Sequence, residues 1–342
     1  MSEWTVKREG QKSDLSTTVK PCTDRLDRAL KRPSRLDTVT LTLFEAHARN
    51  SWQLIPDVAG TASRNSLSYL LEHLQSVIEL LEVSQPTSIH RRLCSIASEL
   101  ALATGVMLTS MRDFANAQTY YRLSIEAARE SAHHPLEAVG LARSSLALIY
   151  DDQAPVALPY VQEARRLAHQ SATTTTRAWL AAVEAEVQAN MNKLDACTRS
   201  LEQAEIVTDR ALQPEEDPYK TTFSRPLLAG YKGVCYLRLK KPDMAQVILQ
   251  EALAQPNSPS IYLQSSMLTD LATTYTQQGE IEEACRVATQ AVTMTIYTRI
   301  PSMRQYLWDF RQQLERWEHT QAVKDLDKQL RLLRHSTVPL GL

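Results

Sequence analysis

The feature that most constrains this chain is a small residue followed by another small residue seven positions later, which occurs in five separate segments. The pairs are Ala117 and Ser124, Ala157 and Ala164, Cys197 and Ala204, Ala245 and Ala252, and Ala284 and Ala291. Successive segments are 40, 40, 48 and 39 residues apart. A spacing of seven places both residues on one face of a helix, where a neighbouring helix can approach closely. Such contacts at a near-fixed period predict stacked helix pairs, which form an α-solenoid.

Glycine supplies only 8 of the 342 residues, against an ordinary usage of about 7 %. Phosphate-cradling loops, tight β-hairpins and turns with left-handed backbone normally need glycine, so we expect none of them to be frequent. The chain is instead rich in alanine, leucine, glutamine, glutamate and arginine, which favour helices. The composition therefore predicts an all-α fold.

The formal net charge is −1, from 38 basic and 39 acidic residues, so no overall field attracts the protein to nucleic acid or to a membrane. The first 35 residues are an exception, because nine lysines and arginines face five acidic residues there. We expect residues 1–34 to form a basic, partly disordered arm. The alternative is that this arm contacts a nucleic acid or an acidic partner.

The five cysteines are Cys22, Cys94, Cys197, Cys235 and Cys285, an odd number without a C-x-x-C pair. Since no signal peptide is recognisable either, we expect reduced thiols and a cytoplasmic protein. No uninterrupted apolar run approaches 18 residues, so we expect no membrane-spanning segment.

Hydrophobic periodicity divides the chain after the arm into a helical lead-in at 35–87, a repeat array at 88–300 and two capping helices at 301–335. The predicted pairs of the array are 88–110 with 114–132, 136–151 with 154–171, 173–191 with 193–212, 226–240 with 242–255, and 260–278 with 280–298. A long loop at 213–226 accounts for the step of 48 residues. The capping helices are expected at 302–318 and 320–334.

The fifth predicted pair resembles a tetratricopeptide repeat. The matching residues are Leu271, Ala272, Tyr275, Gly279, Ala284 and Ala291. The first pair matches through Gly105, Asp113, Phe114, Ala117, Tyr121 and Ser124. The repeat period is longer than that of the usual tetratricopeptide repeat. Over about residues 36–334, the array resembles the tetratricopeptide sensory half of bacterial Cro/CI-type and peptide-pheromone-responsive transcriptional regulators. The helix-turn-helix head of those regulators has no counterpart in this resemblance. The resemblance implies a right-handed superhelix of about five pairs with a peptide-binding concave groove.

The family's groove positions fall on the first helix of each pair. Carried onto this chain, they give the ligand-groove candidates Tyr150, Trp179, Glu186, Asn190, Arg238, Thr273 and Gln277. The early repeats are expected to present an apolar groove and the later repeats a polar one. Arg238 can bind a carboxylate or phosphate bidentately. The alternative is that the last helices fold across the groove and these residues satisfy one another.

The sequence contains no P-loop, no G-x-S-x-G and no H-E-x-x-H motif, so we expect no catalytic residues, no cofactor and no metal site. We therefore expect a non-catalytic sensor or adaptor of bacterial signalling or transcriptional regulation, with a peptide or protein segment as its ligand. One alternative is a DNA-binding regulator that acts as a homodimer through its basic arm. Another is an enzyme or small-molecule binder with a central pocket.

Overall fold

The computed structural model describes residues 36–52, 64–210, 223–255, 260–298 and 301–335. These residues form 14 α-helices, one 3₁₀ turn and no strand. The all-α prediction is therefore confirmed for the described part of the chain. The basic arm, Cys22 and most of the long loop lie outside the described residues.

Two lead-in helices precede the array, α1 at Thr38–Ser51 and α2 at Arg64–Leu81. The array itself contains five helix pairs in the described residues. The pairs are α3 (Thr87–Ser110) with α4 (Phe114–Glu130), α5 (His134–Tyr150) with α6 (Ala154–Ser171), α7 (Thr174–Asn190) with α8 (Leu194–Arg210), α9 (Arg225–Arg238) with α10 (Pro242–Leu253), and α11 (Ile261–Gln278) with α12 (Ile281–Thr298). The capping helices are α13 (Pro301–Gln313) and α14 (Gln321–His335).

The first capping helix is shorter than predicted. The expected helix at 302–318 ends at Gln313, and Glu315–Trp317 forms a 3₁₀ turn. The backbone N–H of Leu314 donates to the carbonyl of Arg311, and the N–H of Trp317 donates to the carbonyl of Leu314. Each of these hydrogen bonds joins residues three apart, as in a 3₁₀-helix, which is wound more tightly than an α-helix and is common at helix ends.

Each pair contributes one inner and one outer helix. The helices pack against their neighbours in sequence, and the first helices of successive pairs also pack side by side. In α5, 13 of 17 residues are buried, whereas only 5 of 18 are buried in α6. The first helices therefore form an inner layer that the second helices cover. This arrangement is a tetratricopeptide-like α-solenoid.

The paired small residues form the seams between these helices. Nine of the ten are completely buried or nearly so, and Ala252 is 7 % exposed. A β-carbon added to Gly105 on α3 would lie 2.6 Å from the ring of Tyr121 on α4. Because larger side chains would hold the helices apart, the small residues set the close spacing of the array.

The turns within the pairs correct one expectation from composition. Each contains one residue with left-handed backbone, and only the last of these is glycine. The residues and their φ angles are Arg112 (63°), Asp152 (57°), Asn192 (56°), Lys240 (55°) and Gly279 (85°). In every turn the following N–H bonds to the carbonyl five residues before it, as from Asp113 to Leu108 and from Glu280 to Tyr275. This is the Schellman closure of a helix end, so low glycine content did not exclude such turns.

Helix α3 is long and unusually apolar. It is the one described helix long and apolar enough to cross a membrane, with a mean hydropathy of 1.4 over 18 residues. However, 78 % of that window is buried inside the protein. Polar residues interrupt the apolar run, which is why a search for uninterrupted runs misses it. The helix packs against α1, α2 and α4, so its composition suits the centre of a core.

The buried side chains form two large cores that meet at α7. The first core contains residues from Leu36 on the lead-in to Val187 on α7. The second core extends from Ala185 on the same helix to Leu333 on α14. Helix α7 thus contributes to both cores, and 14 of its 17 residues are buried.

Candidate ligand-binding groove

Side chains of the inner helices α5, α7, α9 and α11 and of α13 lie near one another. Tyr150, the last residue of α5, is 43 % exposed. Its pKa is nevertheless raised well above its ordinary value, first by the charge of Glu186 on α7 and then by burial. Tyr231 on α9, Tyr262 on α11 and Tyr306 on α13 add smaller contributions. Tyr150 therefore lies near these side chains, and we call the region that they form the groove.

An aromatic pair supported by an arginine lies on the groove wall formed by α5, α7 and α9. The Nε1 of Trp179 donates a hydrogen bond of 2.9 Å to the hydroxyl of Tyr231. The guanidinium carbon of Arg143 lies 4.8 Å from the centre of the Trp179 ring, within the range of a cation–π contact. The Nε of Arg143 is buried and has no hydrogen-bond partner among the described residues. Trp179 is only 2 % exposed, so this predicted groove residue lies inside the wall, where it holds Tyr231 and Arg143 in place.

Two buried carboxyl groups lie near Arg238 in the groove. Glu186 on α7 is 4 % exposed and Asp270 on α11 is 2 % exposed. Burial raises the pKa of each to about 7, while the charge of Arg238 lowers both values in part. Asp270 accepts a hydrogen bond from the hydroxyl of Tyr306. Arg238 is itself exposed and forms no ion pair with a described residue.

Three of the predicted groove residues bond to nearby backbone. The Nδ2 of Asn190 donates to the carbonyl of Glu186 at 2.9 Å, and the hydroxyl of Thr273 donates to a carbonyl of its own helix at 3.0 Å. The Nε2 of Gln277 donates to the carbonyl of Leu237 at 3.4 Å. The Oε1 of Gln277 is buried without a partner. These side chains therefore support the wall, and their direct contact with a ligand stays a prediction.

The apolar groove expected in the early repeats is not open to solvent. The family's groove positions in these repeats include Leu102, Val106, Val139 and Leu146. Leu102 and Val139 are completely buried, Leu146 is 5 % exposed and Val106 is 9 % exposed. Neighbouring inner helices and α1 pack over this part of the array. The expectation was wrong because it placed side chains on a concave surface without allowing for helices that cover it.

Sequence reasoning did not identify Tyr231, Tyr262, Asp270 or Tyr306. The first three are not among the positions carried over from the family, and Tyr306 belongs to a capping helix. The structure also joins Arg112, in the turn of the first pair, to Asp309 on α13 through an ion pair of 3.1 Å. The last helices therefore reach the first pair, a contact that a repeat pattern does not encode.

Metal-ligating side chains do not cluster in the described residues: no group of three or more His, Cys, Asp or Glu side chains is placed to hold an ion. The groove instead contains tyrosine side chains and two arginines. Such groups bind ligands through hydrogen bonds, stacking and charge.

Comparisons with known proteins agree with the fold. No family model matches the sequence, and no curated protein matches it. Among solved structures, the apo form of RapI is similar with a TM-score of 0.55 and 10 % identity, over 84 % of this chain and 93 % of RapI. The apo form of the quorum sensor NprR from B. thuringiensis has a TM-score of 0.50 and 11 % identity, over 95 % of this chain and all of the NprR chain.

A third similar structure is a Rap protein complexed with Competence and Sporulation Factor. Its TM-score is 0.51 at 10 % identity, and the match covers 96 % of this chain and 89 % of that one. At these identities the likeness establishes a shared fold and not a shared activity. The chain therefore has the tetratricopeptide-like solenoid fold of these proteins.

Proposed function

We propose that this chain is a non-catalytic sensor or adaptor that binds a peptide or protein segment in the groove. The observation that carries the proposal is that an exposed ring, Tyr150, and an exposed arginine without an ion pair to any described residue, Arg238, both lie near Glu186. An aromatic ring binds apolar side chains at low entropic cost, and a guanidinium binds acidic groups. Solenoids suit this role because ligand binding can change their curvature through small shifts between repeats.

The fold comparisons support the same proposal by analogy. NprR is a quorum sensor, and the Rap structure holds Competence and Sporulation Factor. Both cover nearly the whole of this chain. A solenoid of this type can therefore serve as a sensor, and the groove described above offers the chemistry for binding an extended segment.

A peptide screen tests the proposal. The whole chain is incubated with a pooled library of synthetic hexapeptides, and the retained peptides are identified by mass spectrometry. Affinities of the best peptides are then measured by titration calorimetry. We expect Tyr150→Ala to weaken binding by about tenfold, as truncation of a buried aromatic anchor does.

The matched control is Tyr160→Ala. Tyr160 is 38 % exposed on the outer helix α6, so it has a similar exposure and lies in the outer layer. Equal affinities of the two variants, or a library from which no peptide is retained, would contradict the proposal.

A further inference from the structure

Two histidine rings of the lead-in helices meet outside the groove. The Nδ1 of His47 on α1 lies 3.3 Å from the Nε2 of His73 on α2. The ring centres are 5.4 Å apart, and both side chains are half-buried, so solvent can reach them. The two residues are 26 positions apart in the chain, and motif spacing in the sequence therefore gave no sign of the pair.

A backbone carbonyl fixes the tautomer of His73. Its Nδ1 lies 2.9 Å from the carbonyl oxygen of Tyr69, one turn earlier on α2. A carbonyl oxygen only accepts hydrogen bonds, so the Nδ1 carries the proton and the Nε2 of the neutral ring presents its lone pair to His47. The Tyr69 ring lies against the His73 ring, with centres 4.0 Å apart. The lone pair of His73 is therefore held in one direction.

The Nδ1 of His47 can present a lone pair to the same point. The Nε2 of this ring bonds to no described residue, so it is free to carry the single proton of a neutral imidazole. The two lone pairs then face each other across 3.3 Å, an arrangement that a cation between them stabilises. If the Nδ1 of His47 carries the proton instead, the same spacing is a direct hydrogen bond, and the experiment below separates the two cases.

The spacing of the two nitrogens matches that of two ligands on one metal ion. Zinc–nitrogen bonds of about 2.0–2.1 Å in tetrahedral coordination place two ligand nitrogens about 3.3–3.4 Å apart. Metal-bound histidines also donate their second ring N–H to a carboxylate, a carbonyl or water, as His73 does to Tyr69. Both the spacing and the outer hydrogen bond therefore fit an ion held between α1 and α2.

We propose that His47 and His73 bind a divalent cation of the zinc and copper class, with water completing the coordination. Imidazole nitrogens suit these ions, whereas magnesium and calcium prefer oxygen ligands. In the described part of the chain no third His, Cys, Asp or Glu side chain joins the pair to complete a metal-binding group. Closed structural zinc sites have four protein ligands, so we expect this ion to be exchangeable.

Such an ion links two helices that dock on the same neighbour. Both α1 and α2 pack against α3, and the cation adds a direct connection between them. Because the connection exists only in the folded chain, the bound ion stabilises the fold according to its concentration relative to its dissociation constant. The proposal concerns the lead-in helices and is independent of peptide binding in the groove.

Titration calorimetry with zinc chloride tests the site, on the whole chain without a histidine tag at about pH 7.5, where imidazole is mostly neutral. His47→Asn and His73→Gln each place an amide where the ring nitrogen lies, so they keep hydrogen-bonding groups and lose the ligand. Each should weaken zinc binding by at least about tenfold, because even loss of an outer-shell partner costs about 10–100-fold. With copper(II) as the probe, electron paramagnetic resonance should show coupling to the nitrogens of two imidazoles in the wild type.

The matched control is His169→Gln, because His169 is exposed on the outer helix α6. A second control is His90→Gln, since the Nε2 of His90 lies 3.5 Å from the Sγ of Cys94 and offers zinc a competing position. Both controls should bind zinc like the wild type. Zinc should also raise the midpoint of thermal unfolding in the wild type and both controls, but not in His47→Asn.

Three results would overturn the proposal. A wild-type protein that binds no zinc would show that the two rings form an N–H···N hydrogen bond only. Equal zinc affinities of the wild type, His47→Asn and His73→Gln would place the ion elsewhere, as would a loss of binding confined to His90→Gln. None of these results bears on the peptide screen, so the function proposed above is tested separately.

Discussion

The two halves of the solenoid use their inner helices differently. In the first half, α3 buries 14 of its 24 residues and α5 buries 13 of 17, mostly alanine, leucine and valine. In the second half, α11 buries three threonines and Asp270, and the hydroxyl of each of these threonines donates to a carbonyl of its own helix. Such back-bonding slightly weakens and bends helices. The comparison suggests a rigid apolar half and a more deformable polar half that meet at α7, where the groove lies.

Two glycines at equivalent seams test this difference most strongly. A β-carbon added to Gly105 would lie 2.6 Å from the Tyr121 ring, and one added to Gly233 would lie 2.6 Å from Cδ2 of Leu249. Tyr121 is a rigid ring, 1 % exposed, whose hydroxyl bonds to Thr109. Leu249 can change rotamer. We expect Gly105→Ala to reduce the free energy of unfolding by about 3 kcal/mol and Gly233→Ala by about 1 kcal/mol, measured by urea denaturation.

Equal losses of unfolding free energy in the two glycine variants would contradict the difference between a rigid and a deformable half. A loss in neither would contradict the close seams themselves, because alanine is intrinsically the better helix former.

The next largest effect concerns Glu186, where the halves meet. Its pKa is raised from 4.5 to about 7 in the folded protein, so the unfolded chain loses this proton first as the pH rises. The stability of the wild type therefore falls between about pH 4.5 and about pH 7 and is constant above. Glutamine cannot ionise, so the stability of Glu186→Gln should gain up to about 3 kcal/mol relative to wild type over this interval.

Urea denaturation at several pH values measures that gain. The control is Glu163→Gln, because the pKa of Glu163 is lowered by its hydrogen bonds to Arg166. No relative gain is expected for it over this pH interval. If the unfolding free energies of wild type and Glu186→Gln changed in parallel with pH, burial in the groove would not be raising the pKa of the Glu186 carboxyl group.

The smallest predicted effect compares equivalent turns in the second half. Lys240 has a φ of 55° and Gly279 a φ of 85° at corresponding positions. Left-handed backbone costs a residue with a β-carbon about 1 kcal/mol, so Lys240→Gly should stabilise the protein by up to about 1 kcal/mol. Gly279→Ala should destabilise it by a similar amount. Thermal unfolding measures both, and shifts of the same sign would contradict the equivalence of the turns.

Much of the architecture could be predicted from the sequence, because the spacing of small residues indicates where helices pack closely. The small residues at Ala157, Ala164 and their equivalents are buried as predicted, and the helix pairs lie close to their predicted bounds. The turns within the helix pairs were harder to predict. Arg112, Asp152 and Lys240 adopt left-handed backbone at positions where the family's pattern has glycine, since the energetic cost is small enough for the seam contacts to offset.

The groove was predicted only in part. Tyr150, Trp179, Glu186 and Arg238 fall on inner-helix positions that a repeat pattern can locate, and the structure brings them together. Tyr306 could not be found in this way, because it reaches the groove from outside the array. Burial of the early groove positions also depends on which helices cover them. These are tertiary effects that local periodicity does not contain.

The most direct test of the central claim is the affinity of Arg238→Glu for the best-binding acidic hexapeptide, measured by titration calorimetry at neutral pH. The matched control is Arg122→Glu, because Arg122 is exposed on the outer helix α4. We predict that Arg238→Glu remains folded and loses about a hundredfold in affinity, since charge reversal replaces an attraction with a repulsion. Arg122→Glu should bind like the wild type. Equal affinities of the two variants would contradict the assignment of the groove as the binding site.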